Sequence, residues 1–176
     1  GTLKSTGTAT VNPAVVLTAN SDLGATGGVM TLAGAISGDF TLRTFSAGTF
    51  RFASTASSFS RLQLASGTAT LAGNNTLPPQ IDIFNSASFN LNGFSQSIDF
   101  YASSGSTQNT GAAATLTMGV AGSSSTFGSA NYAGPISGPI NLIIAAGAGQ
   151  TLSSNSSSYA GTTDVLGTLT VTGDSA

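Results

Sequence analysis

The chain has no cysteine, histidine, tryptophan or glutamate, and only ten of its 176 residues are charged. Each absence closes a class of function. Without Cys there are no disulfides. Without Cys or His there is no soft-metal site, and the Ser-His-Asp and Cys-His mechanisms lose their base. The cations are Lys4, Arg43, Arg51 and Arg61; with six aspartates they leave a net charge of −2. That cannot build the basic face that displaces counterions from nucleic acid. A typical domain is about a quarter charged; this one is 6% charged. No apolar run reaches the ~18 residues of a membrane-spanning helix. The longest, Ile140 to Ala148, is short and contains Asn141. No basic-then-apolar leader opens the chain, so any export signal or membrane anchor is expected outside it.

What is present is a small alphabet of short side chains. Gly, Ala, Ser, Thr and Asn fill 111 positions. A Gly/Ser linker could share that bias. Disordered chains, however, pair low hydrophobicity with high net charge, whereas 40% of this chain is hydrophobic and its Ile, Leu, Val and Phe recur regularly. Helix formers are scarce and no segment holds a 3.6-residue period. Short apolar-polar-apolar runs occur instead, among them Phe50-Arg51-Phe52, Leu62-Gln63-Leu64, Ile81-Asp82-Ile83 and Leu116-Thr117-Met118. This alternation is the strand signature, one face in and one face out. Gly, Ser, Asn and Pro punctuate between the runs.

Spacing narrows the architecture. Leu32, Leu42, Phe52, Leu62, Leu71, Ile81, Leu91 and Phe100 step by nine or ten residues. A hairpin meander or the rungs of a solenoid would both produce this. Hairpins advertise Asn-Gly or Asp-Gly turns, and only Asn92-Gly93 is present. Small corner residues suit stacked turns ~4.8 Å apart, where bulky ones would collide. The chain also matches itself. Offset by 100 residues, 33–75 aligns with 133–175 without a gap, and 13 of the 43 positions are identical. Ala33-Gly34-x-Ile36-Ser37-Gly38 matches Ala133-Gly134-x-Ile136-Ser137-Gly138, and Leu42 matches Leu142. Ser57-Ser58 matches Ser157-Ser158, and Gly67-Thr68-x-Thr70 matches Gly167-Thr168-x-Thr170. This is read as a duplicated unit with a variable spacer at 76–132. Residues 102–111 and 119–131 of the spacer, nearly all small, are expected to be its mobile part.

The second copy reads Gly134-Pro-Ile136-Ser137-Gly138, then Gly147-Ala-Gly149-Gln-Thr151-Leu152. It goes on through Asn155 to Tyr159-Ala-Gly161-Thr162-Thr163 and Gly167-Thr168-Leu169-Thr170-Val171. It resembles the autotransporter-associated β-strand repeat of type V secreted passengers, and the stretch Leu91 to Ile98 resembles a segment common between those repeats. Where the repeat has Tyr-x-Gly-x-Thr, the first copy has Phe59-Ser60-Arg61-Leu62. The resemblance implies a right-handed parallel β-helix on a bacterial cell surface or outside the cell, serving as adhesin, scaffold or stalk.

Candidate chemistry is sparse. Asp82 and Asp99 invite a polysaccharide-lyase or glycosidase reading, but each sits between apolar residues, as simple outward alternation on a solvated face would place it. Arg43, Arg51 and Arg61 could form a small basic patch for an acidic glycan, or cover apolar surface with their stems. Phe84, Phe89, Phe94, Phe100 and Tyr101 are read as core packing rather than sugar platforms, with Phe94 the one expected at an exposed turn. Thr-x-Thr occurs at Thr8/Thr10, Thr68/Thr70, Thr115/Thr117 and Thr168/Thr170. Ice-binding ladders use this pattern, but its intervals of 60, 47 and 53 residues follow no single rung length. Asn74-Asn75-Thr76 and Asn155-Ser156-Ser157 match the N-glycosylation pattern, although Asn also serves solenoid corners, its amides bonding along the ladder.

The expectation is therefore an all-β, elongated parallel β-solenoid spanning 1–176, with ~20–22 residues per rung and about eight rungs. No catalytic, cofactor-binding or metal-binding residue is expected, and no enzyme activity. The expected function is that of a repeat segment in an extracellular fibre, stalk or adhesin; the alternative is a glycan-binding or glycan-degrading β-helix domain. Expected partners are copies of itself end to end or neighbouring repeats of a longer chain, with surface glycans a further candidate. Nucleic acid and a membrane span are excluded.

Overall fold

The structure, a computed structural model, describes residues 1–120, 130–154 and 157–172. Among them there is no helix, and every strand pairing is parallel. The chain winds as a β-solenoid of about eight turns, because short apolar-polar alternations can each bury one face only against the coil above or below. At ~4.8 Å per coil it is about 40 Å long.

Three sheets run along the coil axis. The first contains β1 (Thr2–Thr6), β4 (Ser21–Thr26), β6 (Ile36–Thr44), β8 (Ser58–Leu64), β10 (Asp82–Asn85), β13 (Phe100–Ser103), β16 (Ala130–Tyr132), β19 (Gly149–Leu152) and β22 (Thr168–Val171). The second contains β2 (Ala9–Val11), β5 (Val29–Leu32), β7 (Thr49–Phe52), β9 (Thr68–Leu71), β11 (Ser88–Asn90), β14 (Ser106–Gln108), β17 (Ile136–Gly138) and β20 (Ser158–Tyr159). The third contains β12 (Gln96–Ile98), β15 (Ala114–Met118), β18 (Ile140–Ile144) and β21 (Thr163–Val165).

In the upper coils the third face is formed by β3 (Val15–Val16), which pairs with the start of β6. The start of β6 pairs in turn with the start of β8. A register shift between Gly38 and Thr41 marks the corner where β6 passes to the first sheet. One coil further on, this face carries Pro78 and Pro79, which have no N–H to donate to a ladder. There the Leu77 amide donates to Gln96 Oε1 at 3.1 Å, and Gln96 Nε2 donates back to the Leu77 carbonyl at 3.1 Å. A buried side chain stands in for the missing strand.

Coils are short and nearly even. The register spans 21 residues from Ala9 to Met30 and 18 from Ile83 to Tyr101. The exception is the 29-residue step from Ser103 to Tyr132. The inward columns form one continuous core: Met30, Phe50, Ala69 and Phe89 follow one another on the second sheet, all 1% exposed or less.

The duplicated segments hold their corners in the same way. The Ile36 amide donates to Ser57 Oγ at 3.1 Å, and the Ile136 amide donates to Ser157 Oγ at 3.3 Å. Gly38 and Gly138 both have positive φ (115° and 90°). A Cβ on either would collide with a carbonyl of the preceding coil, that of Leu17 or of Asn109. Yet the copies occupy different faces. β7 lies on the second sheet and its counterpart β19 on the first, while Leu42 lies on the first sheet and Leu142 on the third. The inward column Thr44, Leu64, Asn85, Ser103, Tyr132, Leu152 shows why. Five coils carry Thr44 to Leu152, whereas the 100-residue offset carries it to Ile144, eight residues short and one face back.

Residues 102–111 do not behave as expected. They belong to β13, β14 and the following corner, with Ser103, Thr107 and Asn109 buried. These polar side chains anchor the coil by inward hydrogen bonds where apolar anchors are missing. Within the other half of that expectation, 121–129 lie outside the described residues, and Ala130 is buried in β16.

Candidate functional site

The outward columns hold whatever chemistry the chain offers. Alternation points every second residue of each strand away from the core, and on the first sheet this gathers five of the ten charges, Lys4, Asp22, Arg43, Arg61 and Asp82. Asp22 stands over Arg43 on the next coil. Arg43 Nε donates to Asp22 Oδ1 at 2.8 Å, and Nη2 donates to Oδ2 at 3.0 Å. The Arg43 hydrogen bond holds the Asp22 carboxyl below its ordinary range, since a two-point guanidinium contact favours the charged form. This pair lies in a shallow depression of about 380 Å³ that Asn20, Ser21, Thr41 and Gln63 also line.

Beside it, Lys4 and Phe45 share the same outer face. The Phe45 ring covers Gly24, its Cζ within 2.6 Å of where a Cβ would stand, and Lys4 Nζ is 5.4 Å from the ring centre. Two coils along, Arg61 Nη2 approaches Asp82 Oδ2 at 3.8 Å, and its guanidinium lies 5.5 Å from the Phe84 ring centre. Phe84 packs against Phe100 with ring centres 5.5 Å apart.

These positions revise several sequence readings. The basic patch does not form: Arg51 points out from the second sheet, while Arg43 and Arg61 each face an aspartate on the first. Asp82 and Asp99 are not on a freely solvated face. The Asp82 side chain is 16% exposed, and burial raises its carboxyl above the ordinary range. Burial first, then the Asp82 charge, raises Asp99. The two carboxylates lie on neighbouring coils, where the Asp82 charge acts on Asp99. Neither lines the depression over Asp22, nor a second one of about 440 Å³ between Ser57–Ser60 and Pro78–Gln80. Among the described residues no three metal-ligating side chains cluster.

The aromatics divide. Phe89 and Tyr101 are fully buried in the core, as expected; Phe84 and Phe100 occupy outward columns, where Phe100 is nonetheless buried, 7% exposed, and Phe84 is half-buried. Tyr101 takes the inward position in register with Ile83, and that sets Phe100 facing out. Phe94 is only partly exposed and packs on the core. These Thr-x-Thr pairs fall on all three faces: Thr8/Thr10 and Thr68/Thr70 with the second, Thr115/Thr117 on the third, Thr168/Thr170 on the first. Corner asparagines bond to backbone rather than to one another. Asn20, Asn74, Asn75 and Asn141 each accept from an amide 21 or 22 residues further on. Asn155 lies outside the described residues.

Sequence reasoning missed a polar cluster inside the middle coils. Tyr101 and Thr107 share a hydroxyl–hydroxyl hydrogen bond, and Asn85 Nδ2 donates to Tyr101 Oη at 3.3 Å. Tyr132 Oη donates to the carbonyls of Gly105 and Pro135. Burial pushes the Tyr101 phenol up to about 12 and raises Tyr132 as well, so both stay neutral and serve as hydrogen-bonding spacers. The available signal was Thr107, a polar residue in the column of Ala69 and Phe89.

The chain has no match among family models, curated proteins or solved structures.

Proposed function

We propose that the chain is a structural, non-enzymatic segment of a bacterial surface fibre, stalk or adhesin, working outside the cell. One observation carries this reading. The inward polar groups Asn85, Gln96, Asn109 and Gln150 all bond to backbone of their own or neighbouring coils, which stiffens the rod. Buried polar groups that are satisfied rigidify a fold. The repeat resemblance supplies the surface setting, and no helix of the described residues is long and apolar enough to cross a membrane. A reducing-sugar assay across polysaccharides tests the reading: no turnover is expected, and turnover would end it.

A second reading, contact with surface glycans, is favoured by the first sheet, whose outer face gathers Lys4, Asp22, Arg43, Arg61 and Asp82 beside Phe45 and Phe84. Ion-paired donors next to aromatic rings suit sugar hydroxyls and C–H faces. A glycan array tests it: binding should weaken with Phe45→Ala and Arg43→Ala, and an array without a hit removes it.

A further inference from the structure

One outward column of the first sheet runs through four successive coils: Asp22, Arg43, Gln63 and Phe84 stand in register, each beside the next. At ~4.8 Å per coil the column is about 14 Å long. Its two ends differ in chemistry. At one, the Asp22–Arg43 pair lies in the depression of about 380 Å³ that Gln63 also lines, a volume in the range of small-ligand sites. At the other, the half-buried Phe84 ring lies against Phe100 and the Arg61 guanidinium. Beyond Phe84 the column falls to the short side chain of Ala102.

We propose that this stripe binds an extended, neutral glycan laid along the coil axis, one sugar residue to a coil; this rests on the glycan-contact reading above. Repeat length sets the direction. In a β-linked glycan ribbon each pyranose residue advances the chain by nearly the height of one coil, so successive residues meet successive side chains of the column. Hydrogen bonding sets the polar end. A guanidinium has five N–H donors. Arg43 gives two of them to Asp22, and Asp22 keeps further acceptor sites on both oxygens. Neighbouring hydroxyls of one sugar both donate and accept, and so match the pair. Because the ion pair already fixes both side chains, little ordering opposes binding.

The Gln63 amide is exposed and carries both a donor and an acceptor for the next residue. Phe84 offers its ring to the C–H face of the last. Charge sets the class of sugar. Asp22 faces Arg43 and Asp82 faces Arg61, so the stripe has no net positive field to draw a carboxylated or sulfated glycan.

Isothermal titration calorimetry on the 176-residue chain tests this. The probes are cello- and N-acetylchito-oligosaccharides of two to six residues, with oligomannuronates as the acidic series. Affinity for at least one neutral series should rise with length up to the tetrasaccharide and then level off, and the acidic series should bind more weakly. Gln63→Ala, at an exposed position, and Phe84→Ala should each weaken tetrasaccharide binding, the second by roughly tenfold, with unchanged circular dichroism spectra. Arg51→Ala, outward on the second sheet, should bind like wild type. A preference for the acidic series or an affinity flat with length overturns the proposal. So does binding that Phe45→Ala weakens while Gln63→Ala and Phe84→Ala leave it intact, because the sugar then runs across the coils. Each of these results keeps the glycan-contact reading. No binding by either neutral series also overturns the proposal, and the array, which covers other sugars, judges the broader reading separately.

Discussion

Residues 33–75 and the described part of 133–175 share their corners but not their faces. Ile36 and Ile136 are buried behind the same Ser–amide hydrogen bond and followed by the same positive-φ glycine, yet one sits on β6 against β3 and the other on the second sheet. A corner is a local object. It needs an inward apolar residue, a glycine where the previous coil passes close, and a serine one coil on. A face is not local, because all three faces ask for the same alternation. The number of residues between the copies decides which face each meets, and the long step between Ser103 and Tyr132 is part of that count. The copies differ in a second way: the first is covered by coils on both sides, while the second ends in exposed Val165 and Val171.

The largest effect should be equal in the two copies. Leu42 and Leu142 are 1% and 0% exposed on different sheets. Leu42→Asp and Leu142→Asp should each lose ~3–5 kcal/mol, as an unpaired buried charge does. Urea unfolding followed by circular dichroism checks this, and a mild effect at either site would mean its inward register is wrong. Next comes a pair that should differ. Leu71→Ala, at a fully buried position, should cost ~2–5 kcal/mol. Val171→Ala, its counterpart, should stay within ~0.5 kcal/mol in the monomer, as surface changes do. Equal losses would mean that the last coil is covered.

Gly38→Ala and Gly138→Ala sharpen the shared corner. Each forces positive φ on a residue with a Cβ and drives that Cβ into a carbonyl, so each should cost ~1–3 kcal/mol by thermal melts. A neutral result at one site alone would break the equivalence of the corners.

Acid should separate the upper coils from the middle ones. Asp22 is lowered by Arg43, so its stabilisation is present above the ordinary carboxylate range and fades as pH falls through its folded pKa. Asp82 and Asp99 are raised, chiefly by burial. Their ionised forms weigh against the fold at neutral pH, and that penalty is relieved as pH falls through their raised pKa values. Hydrogen exchange should show β10 and β13 gaining protection on mild acidification before β4 and β6 lose it. Asp99→Asn should reduce the gain, and an unaltered gain would remove Asp99 from the account. Smallest of all, Thr170→Lys at an exposed outward position should leave the melt nearly unchanged.

Much of the fold was legible in the residues. The ten-residue step from Leu32 to Leu91 is half a coil, alternating between the second sheet and the first. The third face was not legible, because it is short and is broken by Pro78 and Pro79. Its regular strands begin only at β12. The candidate site was less legible still. That Asp22 meets Arg43 and Arg61 meets Asp82 depends on coils of 21 residues, and one residue more would set each cation beside a different neighbour.

The sequence by itself determined the strand period, the inward set of apolar residues and the two corners, because alternation, volume and positive φ act over a few residues. Only the tertiary structure decided which face each copy occupies, that Phe100 points out while Tyr101 points in, and that Asn85, Thr107 and Tyr132 meet inside. Those outcomes depend on accumulated coil length, and a single step of about 29 residues shifts everything after it by part of a turn.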